Sequence, residues 1–184
     1  ARIQKKIPDL VLNIVGSGPL ESDLVKLIID LKAEEYITIS TGLNDTSLSS
    51  LYQNADLFIL ANYCLSNGDT EGCPSVFSEA MAYGLPVIGG KGAGVETAII
   101  HNENGLIINT SDPDKIDNAI KDLLTDKNKA KLMASNGRRK LFRDHHPEVV
   151  GKSFGLSIER FLEGSLAADF QAEFNKTCPS LNKF

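Results

Sequence analysis

Short apolar runs alternate along the chain with stretches whose apolar positions recur every three or four residues, the signatures of buried strand and amphipathic helix. Leu10-Val-Leu-Asn-Ile-Val15, Tyr36-Ile-Thr-Ile-Ser40, Asp56-Leu-Phe-Ile-Leu60, Pro86-Val-Ile-Gly89 and Leu106-Ile-Ile108 read as five strands. The first is apolar enough to be buried on both faces of a parallel sheet. Between them, Leu20, Leu24, Leu27, Ile28 and Leu31 mark one helix, and Leu48 to Ala55, capped by Ser47, marks a second. Ser75 to Tyr83 predicts a third, closed by Gly84 and Pro86. Glu96 to Ile100 predicts a short helical turn. After the fifth strand, Ser111-Asp112-Pro113 opens a helix with Ile116, Ala119, Ile120, Leu123 and Leu124 inward, and Asn128 to Ala134 forms the next. Such alternation calls for an α/β fold, a doubly wound, Rossmann-like parallel sheet with helices on both faces. Residues 1–163, through the stripe Phe154, Ile158, Phe161 and Leu162, form one domain, and 164–184 are expected to be a partly ordered tail.

Composition narrows the partners. Of 184 residues, 42% are hydrophobic and 23% charged, ordinary for one globular domain, and the net charge of -5 disfavours nucleic acid. Cys64, Cys73 and Cys178 are odd in number and lack ligand spacing, so neither a disulfide framework nor a metal site is expected, and the compartment reads as cytoplasmic. His101, His145 and His146 read as surface or cap residues, and Arg138-Arg-Lys140 as a solvated helix face. The chain starts at Ala1 without Met, which suits a processed, trimmed or partial polypeptide.

In open α/β sheets ligands gather beyond the carboxyl ends of strands, where the Gly16 turn, the Leu43 loop and the stretch from Glu71 would meet. Gly16-Ser-Gly-Pro19 is not a dinucleotide fingerprint, because the third glycine of that pattern is replaced by Glu21. Glu71 and Glu79 flank the start of the third helix. Free amides at a helix N-terminus suit a phosphate, and carboxylates beside it suit hydroxyl groups.

Glu71-Gly-Cys-Pro-Ser-Val-Phe-Ser-Glu79, continued as Ala-Met-Ala-Tyr-Gly-Leu-Pro-Val-Ile88, resembles the C-terminal, donor-binding domain of the retaining GT-B glycosyltransferases, the group 1 or family 4-like set. Ile14-Val-Gly-Ser-Gly-Pro19, Leu51-Tyr-Gln-Asn-Ala-Asp-Leu-Phe58, Gly94-Val-Glu96 and Asn104-Gly-Leu-Ile107 stand in the order expected of that family, so the resemblance covers roughly residues 8 to 126.

The resemblance implies one half of a GT-B fold and a polysaccharide-building transferase that takes a sugar from a nucleotide diphosphate sugar, UDP- or GDP-linked, with retention and no cofactor. Carried over by position, Glu71 is the catalytic residue at the donor sugar and Glu79 holds the ribose. Ser75, Val76, Pro74 and Cys73 meet the phosphates and sugar, Leu43 reads the base, and Gly16 borders the site. Pro74 departs from the family pattern, which often has glycine there, and a proline has no N–H to give. The basic pair that neutralises the leaving diphosphate, and the N-terminal acceptor domain, are both expected to lie outside these residues, so the isolated chain is expected to be inactive. Membrane contact stays open, as peripheral binding of the full-length enzyme at the inner face. Two other classes stay open: a sugar-nucleotide epimerase of related fold and a nucleotide-binding module without catalysis.

Overall fold

The structure, a computed structural model, describes residues 3–64, 68, 74–92, 94–146, 148–152 and 155–156. Its elements alternate as the periodicity requires. They are β1 (Leu12–Val15), α1 (Glu21–Asp30), β2 (Ile37–Ser40), α2 (Asp45–Asn54), β3 (Phe58–Leu60), α3 (Val76–Ala82), β4 (Val87–Gly90), a 3-10 turn (Val95–Thr97), β5 (Leu106–Ile108), α4 (Pro113–Thr125) and α5 (Lys127–His145). All strand pairing is parallel, with helices on both sides. The five strands form two ladders, β1-β2 and β3-β4-β5. By contacts the chain divides into two compact units, Ala1–Arg139 and Lys140–Phe184.

The core sits on β4. Val87 and Ile88 are fully buried, Phe77, Ala80 and Met81 of α3 and Val95 and Ile99 of the 3-10 segment are buried as well, and Leu106, Ala119, Leu123 and Met133 complete a cluster around Ile88. Each large side chain of this kind contributes about 1.5–3 kcal/mol when removed from water. Two glycines admit the packing. A Cβ on Gly89 would lie 2.6 Å from Val95 and 2.9 Å from Phe77, and one on Gly105 would lie 2.7 Å from the Val87 side chain.

Helix ends follow local chemistry. α3 closes with Gly84 at φ 76°, its N–H donating to the Met81 carbonyl (3.0 Å) while the Leu85 N–H donates to that of Ala80 (3.0 Å). This is the left-handed termination that glycine favours, with buried Leu85 anchoring the exit. α1 ends the same way around Lys32, a non-glycine residue at φ 51°. α4 starts as expected, Asp112 accepting from the Asp114 N–H just before Pro113.

Three expectations are corrected. Asn44, not Ser47, caps α2: its Oδ1 accepts from the Ser47 N–H at 2.8 Å, and the helix begins at Asp45. The helix expected at Asn128 to Ala134 continues through Gly137 to His145 as one α5. Gly137 is tolerated mid-helix because it is a packing site, where a Cβ would lie 3.0 Å from Met81 Cγ. The first strand is not buried on both faces: Leu12 is 39% and Val15 45% exposed, and Leu24, Leu27 and Leu31 of the α1 stripe are exposed too. β1 pairs only with β2 among the described residues, and one neighbour cannot bury a strand's full apolar pattern.

Candidate functional site

Parallel pairing puts the carboxyl ends of the strands in each ladder at a common edge. At the end of β1, Gly16 takes φ 144°, and its N–H donates to the Ser40 carbonyl at the end of β2 (3.1 Å). The chain leaving β2 turns at Gly42 (φ 62°), leaves Leu43 partly buried and enters α2 at Asn44. Gly16 and the Leu43 loop therefore adjoin through their paired strands. A shallow hollow of about 590 Å³ lies over the start of α1, lined by Gly18, Pro19, Glu21, Ser22, Val25 and Lys26. It excludes Glu79, so its size does not identify the site.

At the second ladder, Asn62 follows β3 and ties the strand ends together. Its Oδ1 accepts from the Gly90 N–H at the end of β4 (3.0 Å), and its carbonyl accepts from the Thr110 hydroxyl beyond β5 (3.0 Å). The stretch from Asn62 to α3 contains Glu71 and Cys73, and both lie outside the described residues. Pro74 is buried, Ser75 is exposed and Val76 is half-buried at the head of α3. The first intrahelical bonds run from the Phe77 N–H to Pro74 O and from the Ser78 and Glu79 N–H groups to Ser75 O. The amides of Ser75 and Val76 thus precede the helical ladder, as first-turn amides do.

Glu79, one turn further on, is exposed, and Phe77, Ala80 and Met81 on the same helix are buried. The Tyr52 hydroxyl, from α2, donates to Glu79 Oε2 at 3.2 Å. Tyr52 is itself buried, stacked on Tyr83 with ring centroids 5.1 Å apart and tilted against Phe58 at 6.0 Å. Burial above all, then the charge and the hydrogen bond of Glu79 and the neighbouring Tyr83, push the Tyr52 phenol up to about 12. It is a neutral donor throughout the physiological range. An ionised carboxylate has about four lone-pair sites, so Glu79 has capacity for further hydroxyl donors beside Tyr52.

The structure thus joins Glu79 to α2, the helix that starts at the Leu43 loop, and joins Gly16 to the end of β2. Tyr52 and Asn62 are the residues that sequence reasoning passed over. A tyrosine on an apolar stripe carries a signal, because its buried hydroxyl needs a partner. That partner stands 27 positions away, beyond the reach of local periodicity. Among the described residues no group of three His, Cys, Asp or Glu is placed to hold a metal, and no helix is long and apolar enough to cross a membrane.

The sequence model of the glycosyl transferases group 1 matches residues 1–140. The chain belongs to that family. It is 32% identical, over 139 residues, to the GDP-mannose-dependent alpha-(1-6)-phosphatidylinositol monomannoside mannosyltransferase of Mycolicibacterium smegmatis, an alignment spanning 74% of this chain and 36% of the relative. An uncharacterized glycosyltransferase of Haemophilus influenzae is 32% identical over 149 residues, 80% of this chain and 40% of that protein. The chain therefore spans well under half the length of these relatives. Among solved structures, sucrose-phosphate synthase from Thermosynechococcus elongatus superposes with a TM-score of 0.72 at 24% identity, over 89% of this chain and 41% of that one. Anabaena HepE in complex with UDP-glucose superposes at 0.70 and 20% identity, over 83% and 41%. These likenesses establish the fold of a GT-B C-terminal domain for the group 1 chain.

Proposed function

We propose that this group 1 domain is the donor side of a retaining glycosyltransferase, binding a nucleotide diphosphate sugar beyond the carboxyl ends of its strands. The observation that carries the reading is the exposed Glu79 carboxylate, set on the first turns of α3 and hydrogen-bonded to buried Tyr52. Glu79 accepts the ribose hydroxyls, and the Ser75 and Val76 amides face the diphosphate beside Pro74 and Cys73. The loop of Leu43 borders the base, the Gly16 turn closes the same edge, and Glu71 contacts the transferred sugar and orients it. Helix amides beside an accessible phosphate add about 0.3–1 kcal/mol through the helix dipole. That is too little to stabilise a leaving diphosphate, so the cationic groups for that step, and the acceptor site, belong to the remainder of the enzyme.

The mannosyltransferase of M. smegmatis is GDP-mannose-dependent and the HepE structure holds UDP-glucose, and both support a UDP- or GDP-sugar as the donor proposed for this chain. In the full-length enzyme, Glu71→Ala should lower kcat while leaving the affinity for bare UDP or GDP nearly unchanged, because Glu71 meets only the sugar. NMR of the product should show the donor's anomeric configuration. Equal losses for bare nucleotide and nucleotide sugar would remove Glu71 from the sugar, and an inverted product would refute retention.

A further inference from the structure

We infer that Tyr52 is the positioning residue of the donor site: its phenol holds the Glu79 carboxylate in the orientation that receives the ribose hydroxyls. The inference rests on the reading that Glu79 meets the nucleotide. A glutamate exposed on a short helix has three rotatable bonds, and ordering it on binding costs conformational entropy. A side chain already held by a rigid partner has lost that freedom beforehand, which is how preorganisation raises affinity.

Tyr52 is such a partner. Its ring is buried and stacks nearly flat on Tyr83, with planes 12° apart. Its other neighbour, Phe58, meets the fully buried Phe77 edge-on at 5.7 Å. Tyr83 is fixed in turn by its hydroxyl, which donates to Ser49 Oγ on α2 at 2.7 Å. Rings from α2, β3 and α3 thus form one continuous set running from the core to the Glu79 carboxylate. As a neutral phenol Tyr52 can only donate to that carboxylate oxygen, so the hydrogen bond keeps one polarity at every physiological pH. A purely structural tyrosine would need an acceptor just as much, so the test must separate support of the fold from support of the ligand.

The chain, Tyr52→Phe and Glu79→Ala are titrated calorimetrically with UDP and GDP and with their 2′,3′-dideoxy forms. The wild type is expected to prefer the ribose forms, and Glu79→Ala to abolish that preference. Tyr52→Phe keeps the ring and should weaken ribose-form binding by about 3- to 10-fold while leaving dideoxy binding unchanged. Equal losses on both forms, or no loss, would overturn the positioning role and leave the Glu79 reading intact. A ribose preference that survives Glu79→Ala, or no nucleotide binding by the wild type, would remove the proposed site and the inference with it. Should Tyr52→Phe not fold, 13C-labelled tyrosine in the wild type supplies the readout. The Tyr52 Cζ resonance should move with UDP or GDP and not with the dideoxy forms, and an unmoved resonance overturns the role.

Discussion

Gly90→Ala isolates the contact that ties the strand ends together at the candidate site. An ideal Cβ on Gly90 would lie 1.6 Å from the Asn62 carbonyl oxygen and 2.7 Å from its carbon, and both atoms are backbone. Real Cβ atoms essentially never come closer than 3.0 Å, so β4 and the Asn62 turn must separate by more than an ångström. Separation breaks the Gly90 N–H to Asn62 Oδ1 bond and dislodges the carbonyl that Thr110 holds. Overpacking costs typically ~1–3 kcal/mol, and each of the two hydrogen bonds adds ~0.5–1.5 kcal/mol, which gives a destabilisation of about 2–6 kcal/mol. For a domain of this size that lowers Tm by roughly 4–24 °C. Gly18→Ala is the control, since no atom lies within 4 Å of the added carbon and its φ is ordinary, and it should stay within about 0.5 kcal/mol of wild type. Urea denaturation and thermal melting of the two variants decide. A Gly90→Ala variant melting within about 2 °C of wild type would refute the close approach.

Two further predictions concern buried polar groups. Asn104 is 1% exposed, accepts from the Ile100 N–H at 2.6 Å and donates to the Ala98 carbonyl at 3.0 Å, so Asn104→Ala strands two backbone groups and should cost about 2–4 kcal/mol by urea denaturation. A loss below about 1 kcal/mol would count against that network. The phenol of Tyr52 is raised to about 12 from an ordinary value near 10, so its stabilising effect is complete below about pH 10 and is lost as pH rises through 12. Wild-type stability relative to Tyr52→Phe should therefore fall over that window, and a difference independent of pH would refute the burial argument.

The fold was legible wherever burial is two-sided and local. β4 reads as an uninterrupted apolar run and is buried throughout, and α3 announces its own end through Gly84 and Leu85. Where sequence reasoning failed, the deciding neighbour was distant or absent. The apolar pattern of β1 implies covering layers that are not found among the described residues, and the helix read as ending at Ala134 runs on to His145, with Gly137 packed against Met81. The motif Asn104-Gly105, part of the family resemblance, proves to be a packing device, since Asn104 satisfies backbone groups and Gly105 lies against Val87. At the candidate site, Glu79 was legible because helix geometry alone places it a turn below Ser75. Its partner Tyr52 was not, because only tertiary packing of α2 on α3 brings them together.

Amide NMR of the chain titrated with UDP or GDP tests most directly whether a nucleotide sugar binds across the Leu43 loop and the head of α3, as proposed. Shifts should cluster at Leu43, Tyr52 and Ser75 to Glu79 and be reduced by Glu79→Ala. Shifts clustered over Gly18 to Lys26 instead, or a pattern unchanged by Glu79→Ala, would contradict that placement.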